Sequence, residues 1–234
     1  MNSDYEQTLD KNFDKALELC SNAYSYDELM NFLKNGNIPE KQFAALEINE
    51  LHTPEDTQIF ISNLTGCDGK IREAVAQKFS ELVSDTKYRD FFSNFPETFA
   101  KATIDINANI SRMVIEGLEL MSDKTEFGER YTKTLINYIY EAFEGLDKIV
   151  FRDKKYTVNK QLFKLYWCLE GLNNYYRYLP ITTLKDILTK SLEQKEYTIR
   201  EKVAQILSHS NLNDKELENI IKSDQNYYVK KFIS

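Results

Sequence analysis

The sequence predicts an all-α protein, a right-handed α-α superhelix of about six helical hairpins preceded by an N-terminal helix. Three observations carry that expectation. The first is an internal repeat, since Ile-Arg-Glu-x-Val-Ala-Gln stands at 71–77 and again at 199–205. Self-similarity of this kind marks a chain built of stacked units. The second is composition: 7 Gly and 4 Pro among 234 residues leave few turn signals for strand hairpins, while abundant Leu, Glu, Lys, Ala and Ile favour helix. The third is a series of helix-start signals placed at hairpin spacing.

Taken in order, residues 4–22 place Leu9, Phe13, Ala16, Leu17 and Cys20 on one helical face, the period of an amphipathic helix. This segment is expected to cap the array. Ser25-Tyr-Asp-Glu28 is a capping box opening the next helix, in which each end residue satisfies a backbone N–H. That helix is expected to end near Asn35–Gly36, where glycine can take the left-handed conformation. A second helix is expected from Pro39 to Leu51. Thr53-Pro54-Glu55-Asp56 then supplies an N-cap, a proline in the first turn and acid for the helix dipole. The helix it opens, about 54–64, stops at Gly66, and its partner starts at Asp68.

Laying the segments on one another makes Lys41, Arg72, Ser111, Leu162, Arg200 and Lys230 equivalent, with spacings of 31, 39, 51, 38 and 30 residues. Six second helices imply six hairpins. Their first helices are expected near 26–35, 54–65, 87–104, 126–148, 181–194 and 213–223. Pro96 is expected to split or kink the third, because proline inside a helix removes a backbone donor. Residues 150–157 are read as a loop.

The second-helix pattern Asp-x-x-Ile-Arg-x-x-Val-Ala-x-x-Phe-x-x-Leu at 68–82, matched again at 196–207, resembles HEAT repeats of the short bacterial, phycobilisome-lyase-like variety. The resemblance covers about 25–234 and departs at Ser111 and Leu162, where that family places arginine. It implies a single solenoid domain over 1–234, with residues 1–24 as a capping helix. It also implies structural roles for Arg72 and Arg200, and more weakly Lys41 and Lys230, pairing with acids and carbonyls of adjacent turns. Each arginine is followed by a glutamate, Glu73 or Glu201, and stands near Asp68 or Glu196 one turn earlier. What such repeats usually offer is a concave surface for a protein or peptide. Two enzymatic alternatives come with the same resemblance, a bilin-lyase-like subunit and a DNA-glycosylase-like nucleic-acid binder.

Bulk properties narrow the function further. Net charge is −7, yet residues 1–52 carry −6, residues 53–153 carry −6 and residues 154–234 carry +5. Nucleic acid is an unexpected partner for so acidic a chain. No run approaches the roughly 20 apolar residues that cross a bilayer, and the polar, acidic N-terminus is unlike a signal peptide, so a cytoplasmic protein is expected. Cys20, Cys67 and Cys168 form no Cys-x-x-Cys pair and are read as reduced and mostly buried. His52 and His209 are isolated at expected helix ends. With no zinc, serine-hydrolase or nucleotide-binding motif, neither a catalytic residue, a metal nor a cofactor is expected.

The aromatic cluster between 131 and 178 is the feature least explained by repetition. Packed interior and binding surface are both served by such residues. Tyr175, Tyr176 and Arg177 are expected to face outward. With Lys154, Lys155, Lys160 and Lys164, and with Trp167 nearby, they make the candidate partner-binding patch. A monomer or weak homodimer binding a protein or peptide is the expected state.

Overall fold

A computed structural model describes residues 3–147 and 160–233 of the chain, and every regular element among them is helical. The chain divides into two compact units, Met1–Met121 and Ser122–Ser234. In the first, α1 (Ser3–Cys20) is followed by α2 (Tyr26–Asn35), α3 (Ile38–Glu47), α4 (Pro54–Ser62), α5 (Gly69–Leu82), α6 (Thr86–Phe92), α7 (Pro96–Thr103) and α8 (Ala108–Glu119). In the second, α9 (Thr125–Asp147) is followed by α10 (Lys160–Asn173), α11 (Ile181–Leu192), α12 (Tyr197–His209), α13 (Lys215–Lys222) and α14 (Tyr227–Lys230). The segment read as a loop at 150–157 lies outside the described residues.

Local chemistry explains where the helices start. Ser25 and Glu28 form the capping box of α2, and Thr53 with Asp56 forms another at α4, with Pro54 in the first turn. Asn37 and Glu40 make a third such box at α3. Asp68 caps α5 by accepting from the N–H groups of Lys70 and Ile71. Pro96 does split the third first-helix, starting α7 after α6 has closed at Phe92. Gly36 corrects an expectation: its backbone is extended (φ −68°, ψ 164°) and not left-handed. Glycine suits this position because an added Cβ would sit 2.5 Å from the Phe32 carbonyl oxygen and 2.8 Å from the Glu40 Cβ. The bend is too tight for any larger residue, whatever its φ.

Packing follows the hairpin order within each unit. In the first, α1 lies on α3, α3 on α5 and α5 on α8, with α2 against α3 and α4, and α7 against α8. In the second, α9 packs on α10, α10 on α12 and α12 on α14, with α11 against α12 and α13 against both α12 and α14. The six aligned residues Lys41, Arg72, Ser111, Leu162, Arg200 and Lys230 all fall in the first turn of α3, α5, α8, α10, α12 and α14. Ile71, Val75, Phe79 and Leu82 of α5 are buried, each contributing roughly 1.5–3 kcal/mol. Around Phe79 the first unit builds an aromatic core, with ring centroids 5.0 Å from Phe92 and 4.6 Å from Phe99. Gly117 of α8 gives that ring room, since a Cβ there would meet it at 2.5 Å. The second unit does the same with Phe127, Tyr131 and Tyr175, and Gly128 lies under the Tyr178 ring.

The two arginines of the repeated motif tie successive hairpins together in the same way. Arg72 Nε and Nη2 donate to Asp105 at 2.6 and 3.2 Å, and Nη1 donates to the carbonyls of Gly66 and Cys67. Arg200 Nε and Nη2 donate to Asp224 at 2.6 and 3.3 Å, and Nη1 to the carbonyls of Gln194 and Lys195. The acid thus comes from the hairpin that follows, and not from Asp68 or Glu196 one turn earlier. Asp105 and Asp224 also accept from the backbone N–H of Asn107 and Asn226, which in turn cap α8 and α14. One guanidinium therefore fixes the end of its own loop and the start of the next second helix.

Candidate interaction surface

Of the aromatic residues of α10 and the 3₁₀ turn that follows it (Tyr176–Tyr178), Trp167 is buried, while Phe163, Tyr166, Tyr176 and Tyr178 are half-buried. Tyr175, expected to face outward, is 1% exposed, because the turn folds its ring inward to 4.9 Å from Tyr131. Burial pushes its hydroxyl pKa upward, so it stays uncharged. Trp167 is 8% exposed, packed edge-on to Phe163 and Tyr166, and its indole N–H has no partner among the described residues. Tyr176 is half-buried and donates to the His209 carbonyl at 2.6 Å. Arg177 is exposed but lies over the Tyr178 ring and donates to the Ser122 carbonyl, which Tyr178 also holds at 2.8 Å.

The lysines separate by environment. Lys164 pairs with Glu141 at 3.2 Å, whereas Lys160 is exposed. Lys154 and Lys155 lie outside the described residues. The expected patch is therefore not one continuous outward surface, since Tyr175 and Trp167 belong to the core. Among the described residues of this unit the most buried lysine is one the sequence did not single out. Lys202 Nζ meets Glu170 at 2.5 Å and Gln205 at 3.0 Å, beneath the Tyr166 ring. Exposed aromatic surface lies instead at Tyr197, Tyr227 and Tyr228 on the first turns of α12 and α14.

Arg72, Arg200 and Lys41 make structural contacts at their repeat positions. Arg72 and Arg200 are spent on the bridges described above. Lys41 donates to Asn63 Oδ1 at 3.2 Å, a weaker link to the next hairpin. Lys230 is exposed.

The first unit has an opening between α1 and α3. Phe13, Ala16 and Cys20 of α1 and Ile38, Phe43 and Leu46 of α3 line a groove of about 530 Å³, with Lys70 of α5 at its side. Phe13 is 65% exposed and Leu46 36%, so among the described residues large apolar groups stand open to water. Phe43 also forms a wall of a second cleft of about 460 Å³ that is polar, lined by Tyr24, Tyr26, Glu47, Asn49, Glu50 and Lys87. There Tyr26 donates to Asp56 at 2.8 Å and stacks on His52, whose ring meets Glu50 at 3.0 Å. Cys20 and Cys67 are exposed, contrary to expectation, because one closes α1 and the other sits in the turn before α5; Cys168 is buried, and burial raises its thiol pKa. Among the described residues no group of His, Cys, Asp and Glu is arranged to hold a metal, and no helix is long and apolar enough to cross a membrane.

Neither a protein-family profile nor a curated protein sequence matches the chain. Among solved structures, the crystal structure of an engineered protein, a Northeast Structural Genomics Consortium target, is similar to it with a TM-score of 0.52 at 11% identity, covering 88% of this chain and 92% of that one. At that identity the likeness is one of fold.

Proposed function

We propose that the hairpins within each unit are turns of a HEAT-like, right-handed superhelix and that the protein is a non-enzymatic interaction module. Its partner is a protein or peptide, and the exposed faces of the second helices are where it docks. One observation carries this reading: an apolar groove stands open on the α1 and α3 faces, where a folded chain normally buries such side chains. The binding contribution first expected from Tyr175 and Trp167 passes to this groove, since both side chains are core. A nucleic-acid role of the glycosylase type needs an exposed tryptophan beside aspartate and arginine, and Trp167 is buried. Affinity capture from the source cell tests the reading. The wild type is expected to retain a protein that a Phe13→Asp/Leu46→Asp variant of equal stability does not, and equal recovery by both rejects it.

A further inference from the structure

The groove between α1 and α3 has a length, a lining and a border that together specify its occupant. Its walls run from Phe13 to Cys20 and from Ile38 to Leu46, about two helical turns or roughly 10–12 Å at 1.5 Å per residue. Apolar anchors at positions i, i+3 or i+4, and i+7 of a helix span the same distance. The lining is mainly carbon, with Asn12 and Gln42 among its few polar side chains. An extended peptide brings unpaired N–H and C=O groups that such a floor cannot satisfy, whereas a helix has already satisfied its own.

The border decides the charge. Beyond Phe43 the neighbouring cleft carries the exposed Glu47 and Glu50 together with Lys87, and the groove's own lining includes Lys70. The whole unit, residues 1–121, has 21 acidic and 11 basic side chains, a net charge of −10. A second copy docking through this same face would bring an equally acidic unit, which repels it. We propose that the groove takes one amphipathic helix of a protein partner, its apolar stripe on Phe13, Ile38 and Leu46 and its polar flank basic toward Glu47. This assignment presupposes that the protein is an interaction module, as above.

Cys20 in the groove and Cys67 outside its lining give the test a built-in reference. Three synthetic 18-residue peptides are compared: a Leu/Lys amphipathic helix, the same pattern with Glu for Lys, and the Leu/Lys peptide interrupted by two central prolines. Alkylation of each cysteine by a maleimide is followed by mass spectrometry. The Leu/Lys helix is expected to slow Cys20 several-fold while leaving Cys67 unchanged; Leu46→Asp, at the groove itself, should abolish that protection, and Glu47→Lys, at its border, should weaken it less. Equal protection by the acidic or the proline peptide overturns the inference but leaves the groove an interaction face. Protection of Cys20 without peptide, with a dimer on sedimentation, assigns the groove to a second copy and also overturns it. No protection by any peptide overturns it too, and the broader reading then stands or falls on the capture experiment alone.

Discussion

Arg72 and Arg200 show how much one side chain settles. Each guanidinium occupies its donors on a carboxylate from the next hairpin and two carbonyls of its own loop, with both partners largely shielded. The fork geometry that lysine lacks is what makes this possible. Arg200→Gln is expected to lower the unfolding free energy by about 2–4 kcal/mol, because it leaves Asp224 half-satisfied and poorly solvated; an unchanged urea midpoint would contradict it. Burial by itself would raise the Asp224 pKa, but the hydrogen bonds from Arg200 and the Asn226 N–H outweigh it and hold the carboxyl below its ordinary 3.8. Its contribution is therefore complete above about pH 4 and is lost as pH falls through the depressed value. In the same urea series, the stability gap between wild type and Asp224→Asn should narrow as pH falls below about 4. The pairing arginines were visible in the sequence because they recur at one position of a repeat. Their partners were not, since Asp105 lies 33 residues from Arg72 and Asp224 only 24 from Arg200.

At the level of elements, what could be read was what is decided locally. Ser25, Thr53, Asp68 and Pro96 each act within about one turn of chain, and the helices begin or break where they stand. The second-helix register was legible because the apolar period fixes which face is covered. Close approaches between helices leave no such local mark. Gly117 is small because Phe79 of α5 rests against it, and nothing near residue 117 announces that. Gly117→Ala is expected to cost about 1–3 kcal/mol through overpacking despite alanine's better helix propensity. Thermal unfolding measures this, and Gly117→Ala/Phe79→Leu should recover part of the loss; a stabilised single variant would show that the ring has space to move. Tyr175 was misjudged for the same reason, as a 3₁₀ turn sends its ring back onto Tyr131, 44 positions earlier in the numbering.

Across the molecule, charge and openness are unevenly shared. Residues 1–121 carry −10, while residues 122–234 have 16 acidic and 19 basic side chains, +3. That asymmetry was plain in the sequence, but the groove was not: Phe13 and Cys20 lie on the face predicted for α1, yet their exposure depends on how α1 meets α3. Within each unit the second helices pack one on the next, α3 on α5 on α8 and α10 on α12 on α14. Hydrogen exchange on Phe79→Ala examines that mutual support. Removing this buried ring should lower stability by about 3–5 kcal/mol, and the amides of α3, α5 and α8 should lose protection together, because α3 and α8 both pack on α5. Loss confined to α5, with α3 and α8 protected as in the wild type, would contradict it.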